Sequence, residues 1–149
     1  MNNQEKIIEH LNDLLTKNYD AEAGYKLAAE NVENEELRGF LELRAKKRYD
    51  FGHALKDEIK KLGGEPDKGT SLTGDLHRVW MNLKDTFTSG DAATYAECVR
   101  GEEAFVEEYE ECLKDSEHLP PSVVDLVQSQ LVDGKKALAE VKALEGFKN

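Results

Sequence analysis

Apolar residues recur at alternating spacings of three and four along nearly the whole chain, and no stretch sustains an alternation of period two. A chain patterned this way can bury its apolar surface only as helices that each turn one stripe inward, which predicts an all-α protein. The first stripe is Ile7, Leu11, Leu14, Asn18, Ala21, Tyr25 and Ala28, and it predicts a helix over 4–30 with Asn2 or Asn3 as its N-cap. The short VENEE segment then allows an antiparallel partner with the stripe Leu37, Leu41, Arg44 or Ala45, Arg48, Phe51, Leu55 and Ile59. That helix ends at KKLGG, where two lysines suit the negative helix end and Gly63 or Gly64 can adopt the left-handed cap conformation.

The segment GGEPDKGTSLTGD is the longest connection and reads as a crossover rather than a hairpin. A shorter helix over 75–87 carries Leu76, Val79, Trp80, Leu83 and Phe87 on one face, a stripe suited to a lid on the bundle. A third long helix over 91–114 has the stripe Tyr95, Cys98, Glu102, Phe105, Tyr109 and Cys112. A fourth opens at LPPS and runs to about 147 with Val124, Val127, Leu131, Gly134, Leu138 and Val141. Four long helices with a long crossover predict a ferritin-like four-helix bundle with an extra short helix in the crossover, forming a single domain over 1–149. Asn18, Ala21 and Tyr25 recur at identical spacing as Glu102, Phe105 and Tyr109, a weak internal repeat.

Composition narrows the function classes. A net charge of −11 repels phosphate backbones and anionic lipid, and no Lys/Arg stripe overrules it, so neither nucleic acid nor membrane is expected as a partner. No apolar run approaches the roughly 20 residues that span a bilayer. The N-terminal segment lacks the pattern of a secretory leader, which predicts a cytoplasmic protein. Cys98 and Cys112 lie on one predicted helix about 21 Å apart, too far to pair.

The stripes share a polar midpoint. Asn18, Arg48, Glu102 and Gly134 beside Lys135 stand at the centres of the four helices and should meet at one level. Bundle centres of this kind hold two metal ions where glutamates and Glu-x-x-His pairs converge, but an Asn, an Arg and a Lys there repel a cation or lack the lone pairs to bind it. The expectation is instead an ion pair of Glu102 with Arg48, with Asn18 hydrogen-bonding nearby. A one-residue shift of a stripe would carry Glu102 or Arg48 to solvent.

The segments LNDLL, GYKLAAE, LGGEP, HRVWMNLKDTFTSGD, CVRGEE and LPPSVVDLV, with VKAL near the end, resemble an uncharacterised bacterial family of ferritin-like four-helix bundles, a domain of unknown function. The resemblance spans about 7–144, with HRVWMNLK as its most specific part. It implies the ferritin-like fold and a bacterial, cytosolic setting, and brings no established reaction. The chain is more distantly similar to rubrerythrin-like di-iron proteins, whose first and third helices carry Glu-x-x-Ala-x-x-x-Tyr patterns. Against these it keeps Glu102, Tyr25 and Tyr109 but has Asn18 for the first Glu. Arg48, Phe51, Lys135 and Leu138 stand where further ligands would be, which implies a degenerate di-iron site.

Other residues compete less well. Asp50 and His53 in DFGH form an acid and imidazole pair off the stripe, and Glu22, Glu103, Glu107 and Glu108 fall on wet flanks. His10, His77 and His118 are scattered, no catalytic triad can be assembled, and the Gly-rich loop lacks the phosphate-binding pattern. The expectation is a non-catalytic ferritin-like bundle without cofactor, acting through a second copy or a protein partner, as in a stress response. The rival is an oxidoreductase or metal-storage protein that holds iron or another divalent metal on Glu22, Asp50, His53, Glu102 and Glu103.

Overall fold

The computed structural model describes residues 2–68, 84–114 and 116–147. Four long helices account for most of them, α1 Asn3–Asn31, α2 Glu35–Lys61, α3 Asp91–Leu113 and α4 Pro121–Lys142, with short 3-10 turns at Ser116–His118 and Glu145–Phe147. The ends follow local chemistry. The Asn2 side chain accepts the Glu5 backbone N–H at 2.8 Å, and Asn34 accepts that of Leu37 at 2.9 Å, so each supplies an acceptor the first turn lacks. α2 opens on Glu35 and Glu36 and closes on Lys60 and Lys61, which complements its dipole. Gly63, at φ +82°, then lets its own N–H reach Lys60 and that of Gly64 reach Ile59, a paired closure that few residues other than glycine can make. Pro121 occupies the first turn of α4, where no N–H is needed. That helix stops at Lys142 rather than at 147, its chain finishing as a 3-10 turn.

α1 packs along α2, α3 along α4, and α2 also meets α4. Helix directions follow from the cross-links. Tyr25 meets Glu102 while Asn18 meets Tyr109, so α1 and α3 run antiparallel; Arg44 meets Asp133 while Phe51 meets Gln130, so α2 and α4 do too. Since the three-residue turn after α1 makes α2 antiparallel to it, α2 and α3 run parallel, and the segment joining them has to travel back along the bundle. It is a crossover, as the ferritin-like architecture requires. Its first part lies against α1, where Asn12 donates to the Glu65 carbonyl at 3.1 Å and accepts the Asp67 N–H at 2.8 Å. Its last part is a helical turn over 84–87 with Phe87 buried. The predicted lid residues Leu76, Val79, Trp80 and Leu83, with His77, lie outside the described residues.

Two apolar clusters fill the bundle. Leu37, Leu41, Ala28, Ala45 and Val141 lie in one, and Leu11, Leu15, Leu55, Ile59 and Val123 in the other. In α4, Val127, Leu131, Gly134 and Val141 are buried as expected, but Val123, Gln130 and Ala137 are buried with them, whereas Val124 and Leu138 lie at the edge. In α2, Phe51 packs against the second cluster and stacks on Phe105, and Gly52 beside it is buried, the Tyr19 ring lying where it would stand 2.6 Å from a Cβ.

Candidate functional site

Between the two clusters lies a buried polar layer supplied by all four helices. Glu102 on α3 is fully enclosed, and Asn18, Arg44, Arg48 and Gln130 are each less than 5% exposed. Arg44 holds Glu102 in a fork, Nε to Oε1 at 3.1 Å and Nη2 to Oε2 at 3.3 Å, and its third nitrogen donates to Asp133 on α4 at 2.6 Å. Tyr25 on α1 donates its hydroxyl to the same carboxylate. Arg48 lies 3.6 Å from Glu102 and donates weakly to Asn18 at 3.4 Å. Its guanidinium instead stacks 4.0 Å over the Phe105 ring, and its buried Nε has no hydrogen-bond partner among the described residues.

The expected pairing is therefore corrected in one respect: the residue that grips Glu102 is Arg44, with Arg48 a secondary charge. Positions 44 and 48 are one helical turn apart on the same face, so both side chains reach one level and only their packing selects between them. Lys135 is a second correction. It lies more than half exposed, 3.6 Å from Glu110, outside the layer, while Gly134 beside it faces inward. Gly134 has no room for a side chain, since a Cβ there would stand 2.2 Å from the Phe105 ring. What α4 contributes to the layer is Gln130, which accepts the Tyr109 hydroxyl at 2.6 Å and donates to the Phe51 carbonyl at 3.3 Å. Asn18 completes the set, donating to Tyr109 at 2.9 Å and to the Leu14 carbonyl at 2.8 Å.

The layer repeats itself. Asn18 and Tyr25 on α1 correspond to Glu102 and Tyr109 on α3 at one constant shift, and each tyrosine reaches the other helix's polar residue. On the remaining helices, Leu41, Ala45, Arg48, Gly52, Leu55 and Ile59 correspond at a single shift to Val123, Val127, Gln130, Gly134, Ala137 and Val141, all buried. The correspondence is partial, since Leu37, Phe40, Arg44 and Glu58 are buried on α2 without a buried counterpart at that shift.

Burial sets the electrostatics. It raises the Tyr25 hydroxyl well above its ordinary range, and the Glu102 charge raises it further, so Tyr25 stays a donor. Burial likewise raises Tyr109, with the hydrogen bond from Asn18 working against it. The Cys98 thiol, next to this layer, is pushed up to about 12 by burial and by Glu102, and is inert near neutral pH. For Arg44, burial favours loss of the proton, but Glu102 and Asp133 outweigh it and its pKa rises.

These residues do not fit a metal ion. The one carboxylate that is fully enclosed spends its oxygens on Arg44 and Tyr25, and two guanidiniums bring positive charge to the position a cation would take. The alternative ligand set is not assembled either. Asp50, His53 and Glu103 are exposed, Glu22 is paired with Lys26 at 2.7 Å, and His53 leans on the Tyr49 ring. Among the described residues no group of three or more His, Cys, Asp or Glu side chains is arranged to hold a metal. Glu107 is exposed, and Glu108 reaches Lys17 at the surface. His10 and His118 are exposed as well, so no imidazole among the described residues serves the layer as acid or base. Sequence reasoning missed Gln130 and Asp133; the signal for Gln130 was its place one turn before Gly134 on the same face.

Among the described residues no helix is long and apolar enough to cross a membrane. A solved structure entitled "A Dodecameric Thioferritin in the Bacterial Domain, Characterization of the Bacterioferritin-Related Protein from Bacteroides fragilis" resembles the chain with a TM-score of 0.73, at 16% identity, over 93% of this chain and 83% of that one. At that identity the likeness carries the ferritin-like fold alone. No curated protein matches the chain. A family model does match, over residues 6–115, ending short of the LPPSVVDLV and VKAL segments of α4. The chain thus belongs to the family described as Domain of unknown function (DUF2383), and its fold is a ferritin-like helical bundle.

Proposed function

We propose that this protein is a non-catalytic, metal-independent member of the ferritin-like bundles that works through association, with a second copy or another protein. The observation carrying the reading is the Arg44 fork on Glu102, a guanidinium neutralising the central carboxylate where a metal ion would otherwise do so. The layer is sealed from solvent and holds no nucleophile beside a base, which supports a structural use of its polarity. The cytoplasmic setting and single folding unit expected from the sequence belong to this proposal, and the two buried free thiols accord with a reducing compartment. The dodecameric assembly named for the Bacteroides fragilis protein supports homo-oligomerisation as the form the association takes.

The test is elemental analysis of protein purified without chelator, paired with thermal unfolding with and without a chelator. The expected result is no stoichiometric iron, manganese or zinc and an unchanged midpoint. A stoichiometric metal that is lost in Glu102→Gln would overturn the proposal in favour of a metal-binding role.

A further inference from the structure

The outer face of the α1–α2 hairpin carries a groove of about 640 Å³, continued by a second of about 450 Å³, with Glu22, Lys26 and Tyr49 lining both. Its floor is made of small side chains such as Ala23, Ala29 and Ala45, and Tyr49 stands 46% exposed at its middle. The charges distinguish it from the rest of the surface. Three acids, Glu22, Glu30 and Glu42, are matched by three lysines, Lys26, Lys46 and Lys56, so the groove is neutral on a chain with a net charge of −11. By contrast, the groove that carries Asp13, Glu107, Glu108 and Glu111 against Lys17 and Lys114 has an excess of acid, which repels a like surface.

We infer that this groove is the contact between two copies of the chain, packed about a two-fold axis near Tyr49. The inference rests on the proposed reading of the protein as one that acts by association. Positions 42, 46, 49, 53 and 56 share one face of α2, and Tyr49 lies midway between Glu42 and Lys56. A two-fold axis at Tyr49 therefore sets Glu42 of one copy opposite Lys56 of the other, at both ends, as a self-complementary interface requires. Because α1 runs antiparallel to α2 with Tyr19 over Gly52, Glu30 lies at the level of Glu42 and strengthens the acidic end. Lys26 and Lys46 then come opposite Tyr19 and His53, whose rings can receive a cation, as Tyr19 already receives Lys56 within the chain at 5.6 Å. Two helices about 40 Å long and about 20 Å wide together present on the order of 800 Å², the area one partner gives to a stable interface.

Sedimentation velocity of the purified protein tests this. The wild type should sediment as a dimer or a larger even assembly. Tyr49→Arg, at an exposed position that leaves the bundle core untouched, should give a monomer with unchanged helical circular dichroism. Lys56→Glu and the pair Glu30→Lys with Glu42→Lys should each be monomeric alone and associate when mixed. Tyr49→Cys should form an intermolecular disulfide across the axis, since both native cysteines are buried. A monomeric wild type, or an assembly that survives Tyr49→Arg and yields no Tyr49→Cys disulfide, overturns the inference and leaves the groove to a different protein. Elemental analysis of the same sample separates the two readings: a metal-free monomer sinks this interface alone, and a metal-loaded dimer sinks only the metal-independent function.

Discussion

The two halves of the polar layer occupy equivalent places on a repeated hairpin and are built from opposite materials. Around Glu102, a buried charge is gripped by Arg44, approached by Arg48 and touched by Tyr25. Around Asn18, the equivalent position, the short hydrogen bonds are all between neutral groups, Tyr109, Gln130 and the Leu14 carbonyl, and the charge of Arg48 reaches it only at 3.4 Å. The difference teaches what a bundle centre needs. One carboxylate forces the surrounding helices to supply cations, whereas an amide at the matching site closes its network with ordinary donors and acceptors. The cations come from α2 and the acids from α3 and α4, so the charged half ties the two hairpins to each other, with Arg44 spanning both Glu102 and Asp133.

If the halves differ in this way, substitutions should hurt them unequally. Glu102→Ala leaves the buried Arg48 guanidinium without its counter-charge and Arg44 with Asp133 alone, and should cost about 3 to 5 kcal/mol in urea unfolding. A cost near that of an ordinary polar deletion would erase the contrast. Within the charged half, Arg44→Met should destabilise by roughly 1 kcal/mol or more beyond Arg48→Met, because Arg48 already has an unpartnered Nε and lies on an aromatic face. The reverse order would restore Arg48 as the principal partner.

In the neutral half, Asn18→Ala removes an amide whose loss unpairs the Tyr109 hydroxyl's donor and the Leu14 carbonyl and takes only a long 3.4 Å acceptor from Arg48, and it should cost about 1 to 3 kcal/mol. The smallest effect concerns Cys98, beside Glu102. Its folded-state pKa of about 12 exceeds the ordinary thiol value of 9.0, so the folded state keeps its proton longer than the unfolded one. That contribution to stability is complete below the unfolded value and is lost as pH rises towards 12. Below about pH 9.5 the loss should stay under about 1 kcal/mol, and the wild type should lose more stability on alkaline titration than Cys98→Ala does. Parallel titration curves would place the thiol in a wetter environment.

The helices and the inward position of Glu102 can be read from the sequence because a stripe of period 3.6 is a long, redundant signal. Identifying partners within the layer demands more. One residue turns a helix by about 100°, so Lys135, next to the inward Gly134, points out of the layer, whereas Gln130, one turn before Gly134, points into it. Arg44 and Arg48 lie on the same stripe, and the choice between them depends on Phe105 filling the space under Gly134, a contact between distant segments that no local pattern encodes. The repeat is faint in sequence because equivalent positions keep their burial while changing chemistry, as Asn18 and Glu102 or Arg48 and Gln130 do.

The central claim is that a guanidinium from α2 holds the bundle's buried carboxylate, and a double-mutant cycle between Arg44 and Glu102 tests it most directly. Arg44→Met, Glu102→Leu and the double variant would be compared by urea unfolding of chelator-free protein. The account predicts strong coupling: each single change is costly, and the double variant costs less than their sum by about 2 kcal/mol or more, since neither charge is then left alone. Single costs that add to within about 0.5 kcal/mol would contradict it, because residues that do not interact add.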